Sequence, residues 1–437
     1  MAGERREATF QQLLDEGLLE IGDGYRAQNN ELGGTGSIFL RAGHVTDNHI
    51  DLTDVEHFHE HLADKVRSKM SKVGDTIITT KGNSTGRTSF VTNRLPPFVY
   101  SPHLSYWRSR DPEKLCGGFL RYWSRGVEFI DQLSGMKAST DMAPYLSLTD
   151  QRRLSITLPP LAEQKAIAAV LGTLDDKIDL NRRMNATLEA MARALFQSWF
   201  VDFEPVRAKL DGRLPAGMDE ATAALFPDGF QDSVLGHIPQ GWRVCTLSDI
   251  GTNSRRGIQP SEIAPNTPYI ALEHMPRRCI ALDDWDDSAD VASGKSVFKR
   301  GEILFGKLRP YFHKVGVAPF DGVCSTDILV LAPKSPGWFG FLLGHASSDE
   351  LIQFTDLAST GTKMPRTNWG DISSFKIALP PIPIAAVFTS VIQPMLERIT
   401  ANLHQSHTLA ALRDTLLPKL LSGELSVAEV TRGHRTQ

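Results

Sequence analysis

Two stretches decide how this sequence is organised: 158-LPPLAEQKAIAAVLGTLDDKI-178 and 379-LPPIPIAAVFTSVIQPMLERI-399, each opening on Leu-Pro-Pro at an offset of 221. Asp150 and Asp371 each lie eight residues upstream. Working outward, further landmarks recur in the same order. The run 74-GDTIITTKG-82 answers 301-GEILFGKLR-309, Gly135-Met136-Lys137 answers Gly361-Thr362-Lys363, and 38-IFLRAGHVTDNHIDL-52 answers 268-PYIALEHMPRRCIAL-282. The offset drifts only from 221 to 230, as loop insertions produce. One shared tripeptide carries little weight, but four landmarks in one order indicate an internal duplication.

Each copy has a mixed part, 1–157 or 242–378, followed by a stretch of helical periodicity, 158–201 or 379–425. In the mixed parts, short β-rich runs such as Thr76-Ile77-Ile78 and Ile328-Leu329-Val330-Leu331 are bounded by Gly, Pro and Asp, which predicts α/β (mixed α+β) globules. The stretch 53-TDVEHFHEHLADKVRSKM-70 opens with Thr53 and Glu56 at capping-box spacing, so a helix is predicted there. Residues 202–241, with Pro205, Pro215, Pro227, Gly229 and Pro239, read as a linker, and 426–437 as a tail.

In the first helical stretch Ile167, Leu171, Leu174, Ile178, Asn181, Asn185, Leu188, Ala192, Leu195 and Trp199 follow alternating steps of four and three. That is a coiled-coil seam. Adding 221 gives Phe388, Ile392, Met395, Ile399, Asn402, Ser406, Leu409, Arg413, Leu416 and Leu420. At 1.5 Å per residue each helix is about 60 Å long, too long for one small core and suited to separating two globules. Pro394 is expected to kink the second helix or delay its start.

A length of 437 residues predicts two to four domains, and 41% hydrophobic with 22% charged residues is an ordinary globular composition, without the bias of a disordered or fibrous chain. Four widely spaced cysteines (Cys116, Cys245, Cys279, Cys324) argue against a disulfide framework or a zinc ribbon. No targeting segment is apparent, and no stretch approaches the 18 or so unbroken apolar residues of a membrane span, so a cytoplasmic protein without membrane contact is expected. The net charge of −4 gives no global basic signal, yet two windows are locally basic. In one, Lys65, Arg67, Lys69, Lys72, Lys81 and Arg87 face Asp75; in the other, Lys295, Lys299, Arg300, Lys307, Arg309 and Lys314 face Glu302.

Enzyme chemistry finds little support. Gly294-Lys295-Ser296 resembles the end of a phosphate-binding loop, but the first glycine would fall at Ala289. Asp150, Glu163 and Lys165 have the look of a divalent-metal nuclease, yet the second copy has Ile384-Ala385-Ala386 in place of Glu163-Gln164-Lys165. Glu163 also suits the first turn of a helix electrostatically. On the predicted helix His57, His59 and His61 spread around the cylinder, which disfavours a metal site. No catalytic and no metal-ligating residue is assigned, and GGTG at 33–36 reads as a turn.

Nucleic-acid recognition fits better, since it needs cations for phosphates and forked or amide side chains for base edges. The first copy offers Thr79, Thr80, Lys81, Asn83, Ser84, Thr85 and Arg87 in a glycine-punctuated loop, then 135-GMKASTDM-142 with Lys137 and Ser139. The second offers Lys307, Arg309, Tyr311, His313 and Lys314, then 359-STGTKMPRTNW-369 with Lys363, Arg366 and Asn368.

These residues, with 158-LPPLAEQ-164, 195-LFQSWFVDFEP-205, 239-PQGW-242, 301-GEILFGKLRPYFHKV-315 and 415-TLLPKLLSGEL-425, closely resemble the DNA-specificity subunit of type I restriction-modification enzymes along the whole chain. The resemblance implies two target-recognition domains, 1–157 and 242–378, joined by two long antiparallel helices in a pseudo-two-fold molecule. It implies a non-catalytic chain that binds double-stranded DNA at a split target and places two modification subunits and the restriction subunits there. No cofactor is then expected in this chain: S-adenosylmethionine, ATP and Mg would sit on the partners. The second copy departs from the pattern, with Ile382-Pro383-Ile384 where the first has Ala162-Glu163-Gln164 nearby, so its helix start and partner contact differ. Two alternatives remain at this stage: the nuclease of Asp150, Glu163 and Lys165, and a coiled-coil scaffold whose globules bind proteins.

Overall fold

The computed structural model describes residues 5–427 apart from 47–48, 53, 139–144, 290 and 360–363. It divides into two compact units, one of Met1–Asp176 with Leu409–Gln437 and one of Lys177–Thr408. Each contains a mixed α/β globule and a share of both long helices, Leu161–Phe196 and Ile382–Ser422.

In the first unit a four-stranded antiparallel sheet has the order Leu19–Asp23, Leu104–Ser109, Thr76–Thr79, Thr88–Phe90. The β-branched run Thr76–Thr79 is buried along its whole length, so it reads as a continuous rather than alternating strand. Its faces feed two cores: Ile78 joins Phe10, Trp107, Trp123 and Phe129, while Ile77 joins Leu40, Val91 and Tyr106. A three-stranded sheet sets Ile38–Leu40 parallel to Phe98–Tyr100 and antiparallel to Glu56–His57, and Arg6–Thr9 pairs with Ser155–Leu158.

The second unit repeats this plan. Gly251–Asn253, Ile328–Pro333, Ile303–Gly306 and Val315–Val317 form its four-stranded sheet. Pro268–Ile270 lies parallel to Gly322–Cys324 and antiparallel to Asp286–Asp287, and Arg243–Thr246 pairs with Lys376–Leu379. Two further strands, Gly257–Ile258 and Lys295–Phe298, extend the sheet only here among the described residues. The central strand again divides its faces, Ile303 and Phe305 into one core and Leu304 into another. The duplication read from the sequence is thus a duplication of topology.

Several expectations are corrected. The stretch 53–70 is not one helix: Glu56–His57 is a strand, and short turns of helix follow at Glu60–Leu62, Ala63–Val66 and Arg67–Lys69. Burial of Phe58 against Phe39 outweighs local helical propensity, and Thr53 lies outside the described residues. The start of the second polar loop of the first copy, Gly135 to Lys137, belongs to the helix Val127–Ala138. Residues 202–241, read as a linker, hold the helices Glu204–Leu210 and Glu220–Ala224 and the hairpin Phe230–Ser233/Gly236–Pro239, and they bury Val206, Ala223, Phe226 and Ile238 in the core of the second unit. Pro394 does not delay the second helix, which begins at Ile382 and is assigned helical throughout. Its ring is exposed, so the carbonyl of Ser390 that it orphans can meet water.

That second helix is, among the described residues, the one long and apolar enough by composition to cross a membrane. Its apolar positions Ile384, Phe388, Ile392, Leu396, Ile399 and Leu403 are instead buried in the core of the second unit. Within that unit the two long helices run antiparallel. Phe196 meets Phe388 at 6.1 Å between rings, and Asn181, earlier on the first helix, donates to Gln405 Oε1 (3.0 Å) and Ser406 Oγ (3.1 Å), later on the second. Asn402 Nδ2 donates to Asn185 Oδ1 at 2.8 Å.

The seam positions are occupied unevenly. Ile167, Leu171, Ile178, Asn181, Asn185, Ala192, Trp199, Phe388, Ile392, Ile399, Asn402, Arg413 and Leu420 are buried. Leu174, Leu188, Leu195, Met395, Leu409 and Leu416 are only half-buried. Beside five of these six, the next residue along is the buried one: Asp175, Glu189, Phe196, Leu396 and Leu417.

Candidate nucleic-acid interface

The hairpin loops that follow the two central strands are equivalent. Thr79 N donates to Arg87 O (2.9 Å) and Gly306 N to Lys314 O (2.8 Å); Thr85 N donates to Gly82 O (3.0 Å) and Phe312 N to Arg309 O (2.9 Å). A later segment braces each loop, through an isolated bridge of Lys81 with Tyr145 in one and of Leu308 with Arg366 in the other. Both loops turn through two left-handed residues: Gly82 (φ 85°) and Gly86 (φ 91°) in the first, Arg309 (φ 50°) and His313 (φ 50°) in the second.

In the first loop Lys81 and Asn83 are exposed. Thr80 and Thr85 are buried, Thr85 Oγ1 donates to Gly82 O (2.7 Å), and Thr79 Oγ1 donates to the carbonyl of Ser84, which is half-buried. Arg87 is half-buried, and its Nη1 donates to Val45 O at 3.2 Å. Lys137 sits in the last turn of the helix Val127–Ala138, and Ser139 lies outside the described residues.

In the second loop Tyr311 is exposed, Lys307 and Arg309 are half-buried, and the guanidinium of Arg309 lies 5.7 Å from the Phe312 ring centre. Lys314 donates to Leu272 O, and burial together with the nearby Arg277 cation pulls its ammonium below the usual lysine range. Arg366 approaches Asp327 at 3.6 Å. Asn368 is a helix cap: its Oδ1 accepts from Asp371 N (3.2 Å) and its Nδ2 donates to Asp371 Oδ2 (2.6 Å). Lys363 lies outside the described residues.

Two residues absent from the sequence reading stand at these loops. Tyr145 is exposed beside Lys81, and the offset of 221 that links the Leu-Pro-Pro motifs carries it onto Arg366, so the duplication could have found it. Arg277 places its guanidinium 4.1 Å from the Phe312 ring centre, and no pattern in the sequence signals that contact.

The nuclease residues do not form a common site. Asp150 closes a capping box with Ser147, Glu163 pairs with Arg5 (2.8 Å), and Lys165 pairs with Glu113 (3.2 Å). The histidines of 57–61 are deployed otherwise than on one helix: His57 Nδ1 donates to Gly36 O (2.9 Å), while the His59 and His61 rings stack at 5.8 Å.

A family model described as "Type I restriction modification DNA specificity domain" matches residues 17–190. Over 315 residues the chain is 29% identical to the type I restriction enzyme MjaIX specificity subunit of Methanocaldococcus jannaschii, covering 69% of this chain and 67% of that protein. It is 26% identical over 443 residues to the HindI specificity subunit of Haemophilus influenzae, covering 89% and 94%. The chain belongs to the specificity subunits of type I restriction-modification enzymes. In keeping with that family it is a DNA-binding protein, and neither the nuclease nor the scaffold reading is supported. The specificity subunit also shares its fold with the crystal structure of the type I restriction-modification S subunit from M. genitalium, at a TM-score of 0.51 and 14% identity over 95% of this chain and 96% of that one.

Proposed function

We propose that this specificity subunit reads a two-part target in double-stranded DNA, one part through residues 1–157 and the other through 242–378, and that it performs no chemistry itself. Two modification subunits, carrying S-adenosylmethionine, would methylate adenine at the bound target, and restriction subunits using ATP and Mg would cleave. The cytoplasm is the compartment this reading requires. The observation that carries it is the recurrence of one loop geometry at one place in both units, each with cations and an exposed aromatic ring at hand: Lys81 with Tyr145, and Arg309 with Tyr311. Cations supply the salt-dependent share of the affinity, and side chains reaching base edges supply the preference.

The test is co-expression with the modification subunit and mapping of methylated adenines across the genome. Exchange of residues 1–157 for those of a relative is expected to change one part of the methylated sequence and leave the other intact. A methylated sequence that changes in both parts, or in neither, overturns the division of labour.

A further inference from the structure

The two left-handed positions of the loops set the problem. L-residues other than glycine adopt positive φ at a cost, and the first loop uses Gly82 and Gly86 there. The second loop keeps Arg309 and His313 at the equivalent places. Both side chains hold the turn between them. His313 is buried; its Nε2 donates to Ser347 O at 3.0 Å, and its Nδ1 lies 3.3 Å from Asp349. At the other end Arg309 N donates to Pro365 O (2.8 Å), and Arg309 and Arg277 both place guanidinium groups over Phe312. Pro310 is buried and fixes its own φ.

What this rigid base presents is Tyr311. The residue is 48% exposed, and its ring stands edge-on against Phe312 with centres 4.8 Å apart. Cations and acids both flank the turn: Arg277 and Arg309 lie over Phe312, while Asp349 lies beside His313 and Asp327 beside Arg366. An exposed aromatic ring held out on a braced turn, with guanidinium groups close behind it, has the form of a side chain that stacks on or enters a base step. The first loop carries Ser84 at the equivalent position, so its own residues offer no such ring.

Resting on the reading of the chain as a DNA-specificity subunit, we propose that Tyr311 is a wedge that enters one base step in the part of the target read by residues 242–378, unstacking it, while Arg277, Phe312 and His313 position the turn that drives it. The ring does the work; the hydroxyl does not.

The experiment uses the full chain with its modification subunits on the mapped target, with 2-aminopurine placed in turn at each step of both target parts. Fluorescence is expected to rise at one step distinct from the methylated adenines and only in the part read by residues 242–378. It should fall to the free-duplex level in Tyr311→Ala and persist in Tyr311→Phe, with affinity about tenfold weaker for Tyr311→Ala alone, as loss of one stacked aromatic implies. Signals confined to the methylated adenines, or unchanged in Tyr311→Ala, overturn the wedge. Equal losses in Tyr311→Phe and Tyr311→Ala overturn it in favour of a hydroxyl contact. Absence of any sequence-specific methylation by the wild-type complex would instead defeat the reading on which the wedge rests.

Discussion

The loop 79–87 and its counterpart 306–314 share a backbone course and differ in what they ask of it. The first relaxes both left-handed positions with glycine and leaves Lys81 and Asn83 at the surface. The second accepts two non-glycine residues there, and those side chains brace a turn that carries an exposed aromatic ring. Duplication therefore preserved the hydrogen-bonding frame and freed the side chains, as the proposed reading of two different half-targets requires. The same lesson appears one strand earlier. Asp75 and Glu302 occupy equivalent positions, and each accepts from the backbone N–H three residues before it, Lys72 at 2.8 Å and Lys299 at 2.7 Å. Their cationic partners come from different elements: Arg108 in the strand Leu104–Ser109, and Arg256 just before the strand Gly257–Ile258.

These two acids give the largest expected contrast. Asp75 is fully buried, takes both Nε and Nη2 of Arg108 (2.6 and 2.7 Å) and accepts from Tyr100 (2.7 Å), whose own hydroxyl is pushed well above the usual range by burial and by that carboxylate. Asp75→Ala removes two of the three carboxylate contacts of the buried Arg108 guanidinium, leaving only Glu20 at 3.0 Å, and is expected to cost about 3 kcal/mol. Glu302→Ala releases Arg256, whose side chain is 40% exposed and can be hydrated, and is expected to cost about 1 kcal/mol. Urea unfolding followed separately through hydrogen exchange of each unit measures both; equal losses would show that the two sites are energetically the same.

The loops themselves predict an opposite sign. Arg309→Gly removes one left-handed residue and should raise the stability of the second unit by about 1 kcal/mol while weakening DNA binding. A loss of stability would mean that packing of the guanidinium on Phe312 outweighs the strain.

The smallest effect concerns two buried acids on the first long helix. Burial pushes the Asp175 carboxyl up, but Arg121, Arg125 and Arg413 overcome that and hold it below the usual range. Glu189 accepts from Ile280 N (3.0 Å) and Ala281 N (3.1 Å) with no guanidinium bonded to it among the described contacts, and burial leaves its carboxyl raised. The signs differ accordingly. Asp175 contributes stability above its unfolded pKa, lost as pH falls through its folded value, below about 3.9. Glu189 contributes below its unfolded pKa, about 4.3, and loses that contribution as pH rises through its higher folded value. Above about pH 4.3 only Glu189 of the pair should respond, the second unit losing this contribution as pH rises through the raised folded pKa, and Glu189→Gln should abolish that loss. Protection of the Ile280 and Ala281 amides reports it, and the same pH trend in the variant would remove Glu189 as its source.

The sequence by itself determined the duplication, the positions of both long helices and the family. Repeated landmarks and a periodicity of three and four survive without any knowledge of packing, because they are properties of order along one chain. Tertiary structure decided which side of each seam is deep. Leu174, Leu188 and Leu195 match the heptad, yet Asp175, Glu189 and Phe196 are the buried neighbours. A helix of 3.6 residues per turn drifts against a repeat of 3.5, so adjacent residues compete for the interface, and the globules' Arg121, Arg125, Ile280 and Ala281 stabilise the acids there. Which loop residues face solvent was decided in the same way. Thr80 and Thr85 look as accessible as Lys81 and Asn83 in the sequence, but burial is set by contacts with residues distant along the chain. The brace from Tyr145 and Arg366 and the cation over Phe312 are likewise encounters of segments that only folding brings together.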